Sequence, residues 1–154
     1  MSNEQGAMSD FIEQRIIRAV RCLLTGRVNE LLADMKSQIS LIEFTEYRGG
    51  SAVVPVITLC GSECSEKERI LRLDAYSLAI SFMLPETPES ELFCYAYSYA
   101  ICKAVYENVS LFGVVDSAVI TGKKYIAPNR PGSGEGWGLV VSMRLTVEGA
   151  GYVS

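Results

Sequence analysis

Three glutamates are the residues of this chain whose types and spacing come closest to catalytic chemistry. Glu86, Glu89 and Glu91 follow a long apolar run, and paired carboxylates can serve as a general acid and a general base. The same residues surround Thr87-Pro88, which is typical of the N-cap and first position of a helix. Because acidic side chains stabilise the first turn of a helix, the sequence predicts a structural role for these glutamates.

The cysteines are the second group with chemical potential. Cys60 and Cys64 are close enough in sequence to share a metal ion, but the chain has no histidine and no second close cysteine pair. A four-ligand zinc site would therefore need distant ligands. We expect no metal and no cofactor, and we interpret the cysteines as buried free thiols of a reducing compartment. They are Cys22, Cys60, Cys64, Cys94 and Cys102.

Other catalytic and binding patterns are poorly matched. The chain has no histidine for a hydrolytic triad, and the glycines from Gly132 to Gly138 lack the spacing and the following helix of a phosphate-binding loop. A net charge of −4 argues against sequence-specific recognition of nucleic acid, and no apolar run is long enough for a membrane span. The sequence therefore predicts a protein that is not an enzyme.

The first element is an amphipathic helix. It is predicted to begin at Asp10 with a capping box that includes Glu13 and to end at Gly26. A second helical run from Val28 to about Gln38 is either a separate helix or a broken continuation of the first. Phe11, Ile12, Ile16, Val20, Leu23 and Leu24 are expected to face the core, and Arg15, Arg18 and Arg21 to face water.

A change to a period of two then predicts strands. We expect strands at 41–47 and 52–59, with Pro55 at a sheet edge or a bulge, then a polar loop at 61–67. The next strand, at 69–84, is apolar on both sides, which predicts that both of its faces are covered. A hairpin of strands 118–126 and 137–148 ends the fold. Its connection, 127–136, is too rich in glycine and polar residues to be ordered alone.

A helix from Pro88 to about Glu107 carries two apolar stripes on opposite sides. One stripe is predicted to pack on the sheet, and the other is either a tail of the same core or an interface. The first consists of Phe93, Tyr97, Ala100, Ile101 and Ala104, and the second of Tyr95, Tyr99, Cys102 and Tyr106.

Together these elements predict an α+β domain with a mainly antiparallel sheet and helices packed on one face. We expect one domain at 9–148, a flexible leader at 1–8 and a flexible tail at 149–154. The leader lacks the features of a signal peptide, so synthesis in the cytoplasm is expected.

This order of elements resembles the tail terminator family of long-tailed bacteriophages over about residues 10–148. The sharpest likeness is the strand-to-helix junction from Phe82 to Leu92, followed by the glycine-rich hairpin and the alternating strand Trp137–Val147. The helical run after Gly26 and the polar insertion at 61–67 depart from the family pattern.

The resemblance implies a subunit of a ring, in this family a hexamer, at the head-proximal end of the tail tube. The implied partners are further copies of the chain, the tail tube protein and a head-completion or connector protein, first in the bacterial host cytoplasm and then in the virion tail. The second stripe is then the candidate subunit interface. A candidate loop toward the tube or pore contains Lys123, Lys124, Asn129, Arg130, Gly132, Gly134 and Gly136.

Two alternatives stay open on the sequence alone. One is another structural subunit of the same particle, a head–tail connector or a tail-tube protein. The other is an unrelated small-ligand-binding α+β domain, which would require a deep pocket with convergent polar groups. For the basic residues beside the hairpin connection, the alternatives are ordinary solubility or contact with an acidic partner surface.

Overall fold

The fold is built around one four-stranded β-sheet. A computed structural model describes residues 11–35, 39–44, 53–67, 71–130, 132 and 134–148, and within them four antiparallel strands lie in the order β1-β2-β4-β3, with two helices packed against the sheet. The predicted α+β class is therefore confirmed. The predicted leader at 1–8 and tail at 149–154 lie outside the described residues. The strands are β1 (Val56–Lys67), β2 (Leu71–Pro85), β3 (Ser117–Ile126) and β4 (Glu135–Glu148).

The N-terminal helix, Ile12–Asp34, is continuous. It consists of α1 (Ile12–Leu23), a π-helical turn (Leu24–Val28) and α2 (Asn29–Asp34). The predicted end at Gly26 is wrong, and the alternative of a continuation is correct. Buried leucine and valine side chains lie on both sides of Gly26. Their burial outweighs the roughly 1 kcal/mol that a glycine costs inside a helix.

The start of this helix differs from the predicted capping box. Phe11 takes the N-cap position with an extended backbone and no side-chain cap, and Asp10 lies outside the described residues. Glu13 instead accepts a hydrogen bond from the Tyr76 hydroxyl at 3.1 Å. Phe11 was expected in the core but is exposed, because it precedes the first helical turn. Ile12, Ile16, Val20, Leu23 and Leu24 are buried as predicted.

The strand predicted at 41–47 is not a member of the sheet in the described part of the chain. There it forms one parallel bridge between Ile42 and Val53, while residues 45–52 lie outside the description. The Asn29 side chain holds this segment from the helix. Its amide donates to the Ile42 carbonyl at 2.9 Å, and its oxygen accepts from the Ile42 N–H at 2.8 Å. A side chain thus supplies the pair of bonds that a neighbouring strand would make.

The polar stretch at 61–67 is strand, not loop. It continues β1 beyond a bulge between Leu59 and Gly61 and pairs with β2 as far as Lys67. The described side chains from Gly61 to Ser65 are exposed on both faces, so no apolar alternation marks the strand. Pro55, predicted within a strand at an edge or a bulge, instead directly precedes β1, which is an edge strand of the described sheet.

The core lies between one sheet face and the helices. In β2 it contains Leu78, Ile80 and Phe82, which pair with Met143, Val141 and Leu139 of β4. The long strand and the terminal hairpin are confirmed to within about two residues at each end. On the opposite face of β2, Ala75 is buried, Leu73 and Ala79 are half-exposed and Met83 is exposed. In the described chain the predicted cover of this second face is therefore only partial.

The second main helix, α3 (Ser90–Glu107), begins two residues later than Pro88 predicted. A turn precedes it, in which the Ser90 N–H donates to the Thr87 carbonyl at 3.2 Å, and no side chain caps the helix. Its first stripe faces the sheet as predicted: Tyr97, Ala100, Ile101 and Ala104 are buried, and Phe93 is half-buried. Among the described helices, none has the length and apolar character needed to cross a membrane.

Candidate interaction surface

The outer side of α3 presents a row of large apolar side chains to solvent. Tyr95, Tyr99 and Tyr106 are 43%, 59% and 84% exposed, and Cys102 is half-exposed between them. The second predicted stripe is therefore not a tail of this domain's core in the described structure. A contiguous exposed apolar row of this kind is typical of an interaction surface.

Leu92 extends this row by one turn toward the start of the helix. It is 58% exposed and stands three residues before Tyr95. The resulting spacing of three and four residues is that of a helical seam that packs against another element. Sequence reasoning missed Leu92, although the same spacing, continued backward from Tyr95, would have found it. We call the row the tyrosine stripe; it consists of Leu92, Tyr95, Tyr99, Cys102 and Tyr106.

Tyr95 is held in place rather than free to rotate. Its hydroxyl donates to Glu91 Oε2 at 2.8 Å, and its ring lies edge-on to Tyr125 of β3 with centroids 5.2 Å apart. The hydrogen bond to Glu91 raises the pKa of Tyr95 above its ordinary value. The Tyr125 hydroxyl donates in turn to the buried Ser98 at 3.0 Å. A preorganised aromatic side chain loses little conformational entropy when a partner covers it.

Tyr125 also joins the two sets of predicted residues. It follows Lys123 and Lys124 in β3, and both lysine side chains are exposed. The tyrosine stripe and the basic end of β3 are therefore neighbours through one aromatic contact. The exposed Asn129 and Arg130 follow in the connection to β4.

The glycine-rich connection is fixed to the strand-to-helix junction. Glu86 accepts hydrogen bonds from the Gly132 N–H at 2.8 Å and from the Gly134 N–H at 3.1 Å. The Glu86 N–H donates to the Gly134 carbonyl at 3.2 Å. Glu86 thus has a structural role, as a hydrogen-bond acceptor for the connection, that could not be predicted from its position in the sequence. Glu86 links Gly132 and Gly134 of the connection to the strand-to-helix junction.

Gly136 lies where this connection meets the start of α3. A Cβ at this position would be 2.3 Å from the Pro85 carbonyl oxygen and 2.4 Å from Ser90 Oγ, so only glycine fits. The Ser90 hydroxyl accepts from the Trp137 N–H at 2.8 Å. The junction 82–92 and the described residues of the connection therefore form one hydrogen-bonded corner at the start of the tyrosine stripe.

The other end of α3 is braced against the N-terminal helix. Arg27 donates to Glu107 at 2.8 and 3.3 Å and also to Glu30, and Lys103 lies 3.6 Å from Glu107. Hydrogen bonding to Arg27 lowers the pKa of Glu107. Both ends of α3 are thus fixed, which leaves its outer side as a stable surface.

In the part of the chain that the structure describes, no three Cys, Asp or Glu side chains are placed to hold a metal ion. Burial raises the pKa of the Cys94 thiol to about 11, which disfavours the nucleophilic thiolate. The predicted burial of the cysteines is wrong for Cys22, Cys60 and Cys64, which are exposed.

The comparisons with known proteins add no family assignment. Neither a protein-family model nor a curated protein sequence matches this chain.

Proposed function

We propose that this chain is a structural subunit that caps the head-proximal end of a bacteriophage tail tube as a ring, with a hexamer as the expected form. The ring stops tube polymerisation and offers a surface to which the head joins. The observation that carries the proposal is the tyrosine stripe, an exposed apolar row on a helix whose opposite side is largely buried against the sheet. A ring subunit needs such a surface for its neighbours.

The architecture supports this assignment in a second way. The resemblance to tail terminators is strongest at the strand-to-helix junction and the terminal hairpin, and hydrogen bonds from Glu86 and Ser90 join these two regions in one corner. The corner places the connection 127–136, with Arg130, beside the start of the tyrosine stripe. We propose that the corner and the basic end of β3 face the tube or its pore, and that the stripe faces the next subunit.

Tyrosine suits the proposed subunit contact. Its ring supplies a large apolar area, and its hydroxyl tolerates water in the free subunit. The three exposed tyrosines lie on one side of a helix whose ends are both fixed, so little ordering is needed on assembly.

The test is to introduce charge into the stripe. Substitution of Tyr95 and Tyr99 by Glu is expected to leave a folded monomer, because both rings are exposed. It should block tail termination, since two carboxylates would be buried without partners in the ring. Electron microscopy of particles made with the variant should then show tails of uncontrolled length.

A matched control carries the same added charge away from the stripe. Val56→Glu with Val119→Glu replaces two exposed aliphatic residues of β1 and β3, 62% and 56% exposed, that lie outside α3 and its corner. Uniform tails joined to heads are expected for this control. If the tyrosine variant also makes uniform tails that join heads normally, the stripe is not the working surface. Labelling of the chain in purified particles separates a terminator from a head–tail connector by its position.

A further inference from the structure

A second exposed apolar surface lies near the opposite end of the molecule from the start of α3. It is an open groove of about 360 Å³ between α1 and the loop that follows α3, with a mostly apolar lining. We call it the arginine groove; its lining consists of Arg15, Arg18, Ala19, Cys22, Phe112 and Val114.

The loop side of the groove is built at a conformational cost. Leu111 and Phe112 have φ values of 47° and 60°, in the left-handed region that residues with a Cβ rarely adopt. Asn108 Oδ1 accepts from the Phe112 N–H at 3.0 Å and helps to hold this turn. Leu111 is fully buried, whereas Phe112 is 59% exposed. The strained turn thus keeps a large aromatic side chain in solvent at the groove, as is common at binding surfaces.

Charges of opposite sign mark the two surfaces. Arg15 and Arg18 of the groove lie on the same helix as the exposed Arg21, one turn further along. At the start of the tyrosine stripe, Glu89 and Glu91 carry the opposite charge. Most of α3, 18 residues or about 27 Å long, lies between Glu91 in its first turn and the loop that carries Phe112. Within one copy of the chain, Glu91 and the groove residue Phe112 are therefore too far apart to meet.

We propose that the arginine groove receives the start of the tyrosine stripe of a neighbouring copy of this chain. Leu92 and Tyr99 of one copy pack on the apolar lining, and Glu89 and Glu91 lie beside Arg15 and Arg18 of the next. The inference rests on the proposed ring function and supplies the second half of its subunit contact. Because the two patches differ, the contact is heterologous, and its repetition generates a closed ring or an open filament.

A second copy is favoured over a foreign partner by complementarity within the chain itself. An acidic peptide could neutralise Arg15 and Arg18, but it would leave the tyrosine stripe of the same molecule exposed. Contact between copies covers the tyrosine stripe and the arginine groove at once and brings surfaces of opposite charge together. Tyr95 is already fixed by Glu91 and Tyr125, so this part of the stripe is preformed for the contact.

The test is a charge swap measured by sedimentation velocity of the full chain at low ionic strength. Arg15→Glu with Arg18→Glu reverses the groove, and Glu89→Lys with Glu91→Lys reverses the stripe. Each pair of changes should weaken self-association about tenfold or more, and higher salt should weaken that of the wild type. All four changes in one chain restore opposite charges and should recover most of the wild-type association.

Two further measurements control for folding. Asp34→Lys with Glu43→Lys makes the same change in net charge as the stripe reversal at exposed positions outside both surfaces, and it should leave association near the wild-type level. Circular dichroism checks each variant. If a reversed variant fails to fold, Phe112→Ser for the groove and Leu92→Ser for the stripe take its place, and each should weaken association.

The inference is overturned if the wild type stays monomeric at the highest concentration reached in low salt. It is also overturned if either reversal leaves association unchanged, or if the folded fourfold variant stays as weak as the single reversals. If only the proposed function is wrong, the fourfold variant still recovers association, but particles made with either reversal have tails of normal, uniform length.

Discussion

The two sides of α3 carry the same type of residue in opposite environments. Tyr97, on the inner side, is completely buried, stacks on Phe82 with ring centroids 5.2 Å apart and donates to the Ser40 carbonyl at 2.7 Å. Tyr106, nine residues later on the outer side, is 84% exposed. Tyrosine content alone therefore says little about burial. Position around the helix decides whether a ring stabilises the monomer or remains available for a partner.

The largest effect on stability is expected from the inner side. Tyr97→Ala removes a fully buried ring and its stacking on Phe82, so it should lower the free energy of unfolding by about 3–5 kcal/mol. Equilibrium urea denaturation measures this loss. A loss below about 1 kcal/mol would mean that the inner side is not the core of the folded protein.

A smaller effect is expected when only the hydroxyl is removed. Tyr97→Phe keeps the ring but loses the hydrogen bond to the Ser40 carbonyl, which should cost about 1 kcal/mol at neutral pH. Burial raises the pKa of Tyr97 above its ordinary value of 10. The unfolded chain therefore releases this proton near pH 10 while the folded chain keeps it, so wild-type stability falls as the pH rises above 10.

The phenylalanine variant lacks this proton. Above about pH 10 its stability should fall less steeply than that of the wild type, by up to about 1.4 kcal/mol per pH unit. Burial also raises the pKa of Tyr76 and of Cys94, but these groups are present in both proteins and cancel in the comparison. Parallel pH profiles for the two proteins would show that the buried hydroxyl ionises equally easily in the folded and unfolded states.

The assignment of residues to the two sides of α3 could be predicted from the sequence, because one helical period determines both sides. Placing residues at about 100° per position separates Tyr97 from Tyr95 and Tyr99 on the sequence alone. The long strand β2 and the terminal hairpin were predictable for the same kind of reason, since their buried residues alternate with a period of two. What remained undecided was whether a second element of the same domain covers the outer stripe.

The wrong predictions concern regions in which local sequence signals and tertiary packing favour different structures. Gly26 is a typical helix end, but buried residues on both sides carry the helix through it. The polar part of β1 shows no alternation of apolar and polar residues, because both of its faces are exposed to solvent. It forms a strand because it pairs with β2. The role of Glu86 depends on Gly132, 46 residues away in sequence, and on Gly134, and no local pattern encodes these contacts.

The smallest effect on the monomer is expected from Tyr106→Ala on the outer side. Because this ring is 84% exposed, its loss should change the free energy of unfolding by no more than about 0.5 kcal/mol in dilute protein. Alanine is also the better helix former, which offsets part of any lost contact. A loss of about 2 kcal/mol or more in dilute solution would place Tyr106 in the core of the monomer.

A partner that binds only the folded state stabilises it in proportion to the logarithm of its concentration. If copies of the chain cover the stripe, the wild type should therefore gain stability over Tyr106→Ala as protein concentration rises, whereas Tyr97→Ala should be destabilised at every concentration.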